Sequence, residues 1–342
     1  MSPETGIRLG FDTYSLRAFR WKAAKLIDYA ASLKLDTIQL SSLNDFESFE
    51  PVYLQGVHDQ AARLGLVLDG GIGCICPSSK SWSNKDGTPP EYLSKGLRVA
   101  KAIGATSMRC YMGSSEDRLG PKPIEEHIEN TVKVLKAVRS LSLDLGVKVA
   151  VENHSGDMQA RELKMLIEEA GRDFVAANLD TGNPMWVVED PFVTLEVLGP
   201  YTVTTHIRDS IVFEHPRGAA AQWVALGDGS IDFKKFVPRF RELCPHAAMQ
   251  LENITGRPPR LVPYLDPSFW KAFPKANGAE FARFVALAKS GHPLMDAMIV
   301  ADVPGKHAPG YDDALREQER FDLERGLEYA KNTLGIGIRW RS

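Results

Sequence analysis

The 342-residue sequence predicts an α/β protein in which eight parallel strands alternate with helices and close into a (β/α)8 barrel. Short β-branched apolar runs alternate with amphipathic stretches at intervals of about 25 to 40 residues, a pattern typical of parallel βαβ units. Eight such runs are present, which is the number that a closed barrel requires. Several of them end abruptly in ionisable side chains, as strands do when their C-terminal tips carry chemistry.

The predicted elements follow one another in a steady order along the chain. Strands are predicted near residues 8, 38, 68, 108, 149, 177, 204 and 249. Apolar residues spaced three and four apart predict the helices, which cover 22–33, 52–64, 92–103, 123–145, 160–170, 191–198, 233–243 and 317–334. A doubly wound open sheet remains the alternative, because periodicity does not reveal whether the first and last strands pair.

Two insertions interrupt this alternation, and each follows a predicted strand end. One covers about residues 210–232 after the seventh strand, and the other covers 257–310 after the eighth. On a barrel such segments lie over the active face, so we expect them to wall a pocket or to contact a neighbouring subunit of a homo-oligomer, a dimer or tetramer. No linker is visible, so we predict one domain over residues 1–342.

Composition restricts the kinds of partner. The net charge of −3 disfavours a nucleic-acid surface, which requires clustered Lys and Arg to neutralise phosphates. No apolar run approaches the roughly 18 to 20 residues that span a bilayer, and the four cysteines are too scattered for a disulfide framework. We expect a cytoplasmic protein with free thiols that acts on a small molecule, without nucleic acid or membrane.

Four predicted strands end in residues able to bind a metal ion, namely Glu152, Asp180, His206 and Glu252. The C-terminal ends of barrel strands meet on one face, so these residues can share one site. Three carboxylates and one imidazole suit Mn²⁺, Mg²⁺ or Co²⁺ better than a structural zinc, which prefers thiolates. A divalent cation would also offset the repulsion among the carboxylates. We predict one such cation, with Mn²⁺ preferred and Zn²⁺ also possible.

Two residues close to these ligands are candidates for the chemistry. His154 follows Glu152 by two positions and offers a catalytic acid or base, although it could instead cap the next helix. Arg208 follows His206 by two positions and could bind a substrate oxygen or phosphate, or pair with Asp209.

Amide and aromatic side chains supply candidates for substrate binding. Asn183 and Gln250 are predicted to hydrogen-bond the substrate, Gln250 because strand alternation places it on the same side as Glu252. Trp186, with Trp223 and Trp270, is predicted to form a stacking wall for a sugar ring, although loop aromatics also pack beneath loops.

Five sequence blocks carry a family resemblance. The runs VENHSG, NLDTGNP, THIRDS, GDGSID and QLEN, in this order over about residues 7–254, resemble the xylose isomerase-like barrel superfamily. The nearest group is the sugar isomerases and epimerases, which include tagatose and psicose 3-epimerases. The resemblance implies a TIM barrel in carbohydrate metabolism whose Glu, Asp, His and Glu ligands are the four residues above. It also implies that Glu152 and Glu252 flank the substrate and transfer protons next to its carbonyl group.

The sequence departs from these epimerases at two positions that normally help to hold the sugar. Asn183 stands where they have a His, and Met158 stands where they have a further Glu. A metal-dependent lyase or dehydratase acting on a keto-sugar or 3-keto-glycoside is therefore the alternative, with His154 as the compensating acid or base. An endonuclease IV-like phosphodiesterase, which shares the fold, would need more His ligands and a basic groove. A non-catalytic binding barrel is disfavoured because all four ligands are present.

Overall fold

The computed structural model describes residues 6–341. Within this range the chain forms eleven strands: β1 (Leu9–Asp12), β2 (Thr37–Leu40), β3 (Val67–Cys74), β4 (Ser107–Tyr111), β5 (Lys148–Glu152), β6 (Val175–Asp180), β7 (Thr202–His206), β8 (Asp209–His215), β9 (Gly218–Val224), β10 (Met249–Leu251) and β11 (Arg260–Val262). Eight of these coincide with the predicted barrel strands.

The eight strands form one parallel sheet in the order β10-β1-β2-β3-β4-β5-β6-β7. β1 pairs with both β2 and β10, so the last barrel strand lies beside the first. The gap between β7 and β10 is bridged by Ile207, which donates its N–H to Gln250 O at 2.7 Å and accepts a hydrogen bond from Glu252 N at 3.0 Å. The predicted (β/α)8 barrel is therefore confirmed, and the open doubly wound sheet was wrong.

Within residues 6–341, nine α-helices lie between strands and two follow the last strand. They are α1 (Ala23–Ser32), α2 (Pro51–Arg63), α3 (Pro89–Ala102), α4 (Ser115–Arg118), α5 (Ile124–Ala137), α6 (Arg139–Leu145), α7 (Ala160–Ala170), α8 (Pro191–Leu198), α9 (Phe233–Leu243), α10 (Gly278–Ser290) and α11 (Tyr311–Asn332). In α7 the buried residues recur at helical spacing and pack the helix onto the barrel. The helix predicted over 123–145 is divided, because Val138 (φ −106°, ψ 7°) leaves the helical conformation between α5 and α6.

The insertions have regular structure that the sequence analysis did not assign. β8 and β9 form an antiparallel hairpin from the first insertion, and β11 from the second insertion pairs with β9. Arg260 in β11 lies opposite Ala221 in β9. The two insertions therefore build one three-stranded sheet, which continues directly from the end of β7.

The barrel interior contains a polar layer below the strand ends. Asp69 Oδ1 accepts a hydrogen bond from Ser107 Oγ at 2.7 Å, and its Oδ2 accepts from Thr204 Oγ1 at 3.0 Å and Gln250 Nε2 at 2.7 Å. Burial raises the pKa of Asp69, and the hydrogen bonds partly oppose that shift. Both oxygens of this carboxylate thus accept hydrogen bonds from neutral donors. We call Asp69, Ser107, Thr204 and Gln250 the lower layer.

Two predictions from composition can be compared with the structure. All four cysteines are buried and unpaired, as expected. None of the helices in the described part of the chain is both long enough and apolar enough to cross a membrane.

Candidate metal centre

The structure brings the four predicted ligands together at the C-terminal end of the barrel. Glu152, Asp180 and His206 are the last residues of β5, β6 and β7, and Glu252 directly follows β10. Each side chain is buried, and one ligand atom from each lies within 4.8 Å of all the others. We call these four residues the metal group.

The loop after β6 fixes two of the carboxylates. The backbone N–H groups of Gly182 and Asn183 donate to Asp180 Oδ1, each at 2.8 Å. Asn183 Nδ2 donates to Glu152 Oε1 at 3.2 Å and to Asn153 O at 3.0 Å. Asn183 was predicted to bind substrate, but it is fully buried and its amide holds a metal-group carboxylate in place.

The orientation of His206 follows from its neighbour Gln39 at the end of β2. Gln39 Nε2 donates to Thr204 Oγ1 at 2.9 Å, so its Oε1 accepts from His206 Nε2–H at 2.5 Å. His206 Nδ1 then carries the lone pair, 3.3 Å from Glu152 Oε1 and 3.1 Å from Glu252 Oε2. A partner on the far nitrogen that fixes the tautomer is typical of a metal-binding histidine.

The donor atoms of the metal group fit a divalent cation. Asp180 Oδ2 and Glu252 Oε2 are buried and face the guanidinium of Arg208, and His206 Nδ1 is buried without a hydrogen-bond partner among residues 6–341. An unpaired buried acceptor costs about 1–3 kcal/mol, and a cation bound by His206 Nδ1 would remove that cost. Carboxylate oxygens with a single imidazole nitrogen match the ligand preferences of Mn²⁺, Mg²⁺ and Co²⁺.

Arg109, in β4, is a member of the site that the sequence analysis missed. Its Nε donates to Glu152 Oε2 at 2.6 Å, and the guanidinium is almost fully buried. Burial raises the pKa of Glu152, but the positive charge of Arg109 outweighs that effect and holds the pKa well below its ordinary value. Glu152 is therefore ionised, as a metal ligand must be.

Arg208 also contacts the metal group. Its Nη2 lies 2.5 Å from Asp180 Oδ2 and is ion-paired with Glu252. Pairing with Asp209 was the alternative at the sequence level, but the Asp209 carboxylate instead accepts backbone N–H groups of the turn that begins at Gly227. Gly182 permits this position of Arg208, because a Cβ there would lie 2.4 Å from Arg208 Cγ.

Glu252 of the metal group lines a cavity of about 620 Å³. Glu252, Arg208, Arg109 and His154 line its inner part. The outer part is lined by aromatic side chains and by the segment Arg257-Pro258-Pro259-Arg260 of the second insertion. Residues of both insertions therefore line this cavity, Trp223 from the first and 257–260 from the second.

Two tryptophans form one wall of the cavity. Trp186, after β6, and Trp223, in β9, stack with ring centroids 4.1 Å apart and an interplanar angle of 12°. Arg208 Cζ lies 4.6 Å from the Trp223 ring centre, and Arg260 Cζ lies 4.7 Å from that of Trp186. Trp270 does not line the cavity; it packs against aromatic residues of the second insertion and donates to a backbone carbonyl.

His154 lies beside the metal group on the cavity wall. Its ring stacks on Tyr111 with centroids 3.8 Å apart, and its Nδ1–H donates to Gly113 O at 2.6 Å. Nε2 is therefore the ring nitrogen that remains able to accept a proton. Burial lowers the pKa of His154 to about 4, so the imidazole is neutral near pH 7.

Gln250 occupies a different place from the one expected. It does point into the barrel, as Glu252 does, but it belongs to the lower layer, where its Nε2 binds Asp69. It is fully buried and does not line the cavity. This position supports a structural role rather than contact with substrate.

The chain matches the family model described as xylose isomerase-like TIM barrel over residues 27–253. Among curated proteins, none is significantly similar in sequence to this chain.

Solved structures share the fold at low sequence identity. A D-psicose 3-epimerase crystallised with D-fructose superposes with a TM-score of 0.60 at 15% identity, covering 96% of this chain and 100% of its own. A probable 3-DHS dehydratase, AsbF, from Bacillus anthracis gives a TM-score of 0.54 at 14% identity, covering 71% and 92%. A xylose isomerase-like TIM barrel protein from Mycobacterium smegmatis in complex with magnesium gives 0.53 at 14%, covering 83% and 97%.

Proposed function

Because the chain belongs to the xylose isomerase-like TIM-barrel family, we propose that it is a divalent-metal-dependent sugar isomerase or epimerase. The observation that carries this proposal is the convergence of Glu152, Asp180, His206 and Glu252 within 4.8 Å. Glu252 of this group lines a cavity whose wall includes Trp186 and Trp223.

The metal group would hold one cation, with Mn²⁺ as the first choice. When bound, the cation supplies positive charge next to the carbonyl oxygen of the substrate, which stabilises the negative charge that develops there. The neighbouring structure with magnesium supports a hard divalent cation in this fold. Gln39, Asn183 and Arg109 keep the ligand side chains in their orientation.

Glu152 and Glu252 are the proposed acid and base. Glu252 borders the cavity, where its Oε2 is ion-paired with Arg208. It takes a proton from the carbon next to the carbonyl group. In epimerisation, Glu152 takes up a proton from water and delivers it to the opposite face of that carbon, while Glu252 releases its proton to water.

A lyase or dehydratase acting on a keto-sugar or 3-keto-glycoside is the second candidate, and one observation favours it. Both oxygens of Glu152 are already engaged, by Asn183 and Arg109, whereas His154 lines the cavity with Nε2 available. With Glu252 as base and His154 carrying the proton to a leaving oxygen, the same site performs elimination. The AsbF fold neighbour, described as a probable dehydratase, is consistent with this candidate.

The test is incubation of Mn²⁺-loaded protein with ketoses and 3-keto-glycosides in deuterated water, with products and deuterium positions read by NMR. Glu252→Gln should lower turnover by about 10²–10⁴-fold, the usual contribution of a general acid or base. Glu152→Gln should do the same if epimerisation is the reaction, whereas loss in His154→Gln with turnover retained in Glu152→Gln would favour elimination.

Glu189→Gln is the matched control. Glu189 is also a fully buried glutamate, but it accepts from Ala160 N and Thr194 Oγ1, away from the metal group. Its variant should keep full turnover. The proposed acid and base are wrong if Glu152→Gln and Glu252→Gln both retain activity.

A further inference from the structure

The segment Arg257-Pro258-Pro259-Arg260 places two guanidinium groups at the outer part of the cavity. The two prolines restrict the backbone between the arginines, because each ring fixes its φ near −65°. Arg260 itself is held in β11 by pairing with β9. Its Nη2 donates to Ser115 Oγ, and its guanidinium lies on the face of Trp186. Arg260 is therefore a positioned charge rather than a mobile surface arginine.

The arginines that line the cavity differ in their partners. Arg109 and Arg208 are paired with carboxylates of the metal group, and Arg257 Nη2 lies 2.5 Å from Asp302 Oδ2. Arg260 makes no ion pair within 4 Å among residues 6–341. Burial lowers the pKa of Arg260 and the more distant Glu116 raises it, but a guanidinium remains charged throughout.

The charges around the metal group balance without that of Arg260. Four buried carboxylates, those of the metal group and Asp12 beside His206, face the two buried guanidinium groups of Arg109 and Arg208. A divalent cation brings this set to neutrality. Arg260 then remains as an uncompensated positive charge on the cavity wall, half-buried and stacked on an aromatic ring, where its interaction with an anion is less screened than at an open surface.

We propose that Arg260 is a specificity-determining residue that binds an anionic group of the substrate, a carboxylate or a phosphate, while the reacting carbonyl group lies at the metal group. This inference rests on the proposed function, since it takes the cavity to be the substrate site. It narrows the substrate from sugars in general to acidic keto-sugars. Guanidinium groups are well suited to both kinds of anion because they offer several N–H donors in one plane.

Binding of three sugars that differ only at C6 tests the proposal. D-fructose, D-fructuronate and D-fructose 6-phosphate are titrated by calorimetry into the full-length protein loaded with Mn²⁺. At least one anionic sugar should bind about ten-fold more tightly than D-fructose, or better, which is the gain expected from one charge-assisted contact. The sugar that shows this gain distinguishes carboxylate from phosphate recognition.

Variants assign the preference to Arg260. Arg260→Gln should bring the affinities for the anionic sugar and D-fructose to within about two-fold of each other, and Arg260→Lys should restore part of the preference. Arg217→Gln is the matched control: Arg217 is an exposed arginine beside β9, ion-paired with Asp266 and outside the cavity, and its loss should leave the preference unchanged.

The proposal is overturned if neither anion binds more tightly than D-fructose, or if Arg260→Gln keeps the wild-type preference. Because the readout is binding, it is separate from the turnover assays of Glu152→Gln and Glu252→Gln. An inactive protein that still shows an Arg260-dependent preference would reject the proposed reaction and support the anionic ligand.

Discussion

The barrel interior contains two buried polar layers that differ in how their carboxylates are satisfied. In the lower layer, Asp69 receives three hydrogen bonds from neutral side chains, and neither of its oxygens lacks a partner. In the metal group above it, the carboxylates face charged partners: Glu152 is paired with Arg109, and Asp180 and Glu252 are paired with Arg208. Burial alone thus does not separate structural from functional polar residues; here the charge of their partners does.

Loss of a metal-group ligand should have the largest effect. Asp180→Asn replaces an anionic oxygen of the metal group with a neutral amide, so Mn²⁺ affinity should fall by more than about 100-fold, beyond the usual cost of changing an outer partner. Elemental analysis and titration of the purified variant measure this. Stoichiometric Mn²⁺ in Asp180→Asn would show that Asp180 is not a ligand.

Removal of the residue that connects the two layers should have an intermediate effect. Gln39 binds Thr204 on one side and His206 Nε2 on the other, so Gln39→Leu frees the imidazole to rotate or change tautomer. Mn²⁺ affinity should fall by about 10- to 100-fold. Gln250→Leu, which changes another interior glutamine that contacts only the lower layer, should leave Mn²⁺ affinity unchanged. Equal losses in the two variants would contradict the distinction between the layers.

Disruption of the lower layer should have the smallest effect on function and act on stability. Asp69→Ala leaves the donors of Ser107, Thr204 and Gln250 without their acceptor, which should lower the free energy of unfolding by about 1–3 kcal/mol. Urea denaturation of the metal-free protein measures this. Mn²⁺ titration of the folded variant should match the wild type; a large loss of affinity would mean that the layers are not independent.

The barrel and the metal group were predictable because both depend on local patterns. Strand and helix periodicity located all eight barrel strands, and an ionisable residue at the end of an apolar run marked each member of the metal group. Parallel strands place such residues on one face regardless of their separation in sequence. The helix break at Val138 was not predictable, because no Pro or Gly marks it.

The surrounding residues were not predictable for a different reason. Asp12, Gln39 and Arg109 also lie at or near strand ends, but one polar residue in a short run does not reveal its contacts. Arg260 lies in a strand of three residues that forms only by pairing with β9. For Gln250, the alternation of side chains along the strand predicts the correct face of the strand, but it does not predict how deep in the barrel the residue lies.

The stacked pair of Trp186 and Trp223 connects the outer part of the cavity with its inner part. Arg260, in the outer part, lies on the ring of Trp186, and Arg208, in the inner part, lies on the ring of Trp223. Each of these two indoles is therefore in contact with one positive charge, which influences its emission. A ligand that draws Arg260 away from Trp186, or a cation that displaces Arg208 from Trp223, changes the environment of the same chromophore. The protein thus carries an intrinsic optical reporter for both ends of its cavity.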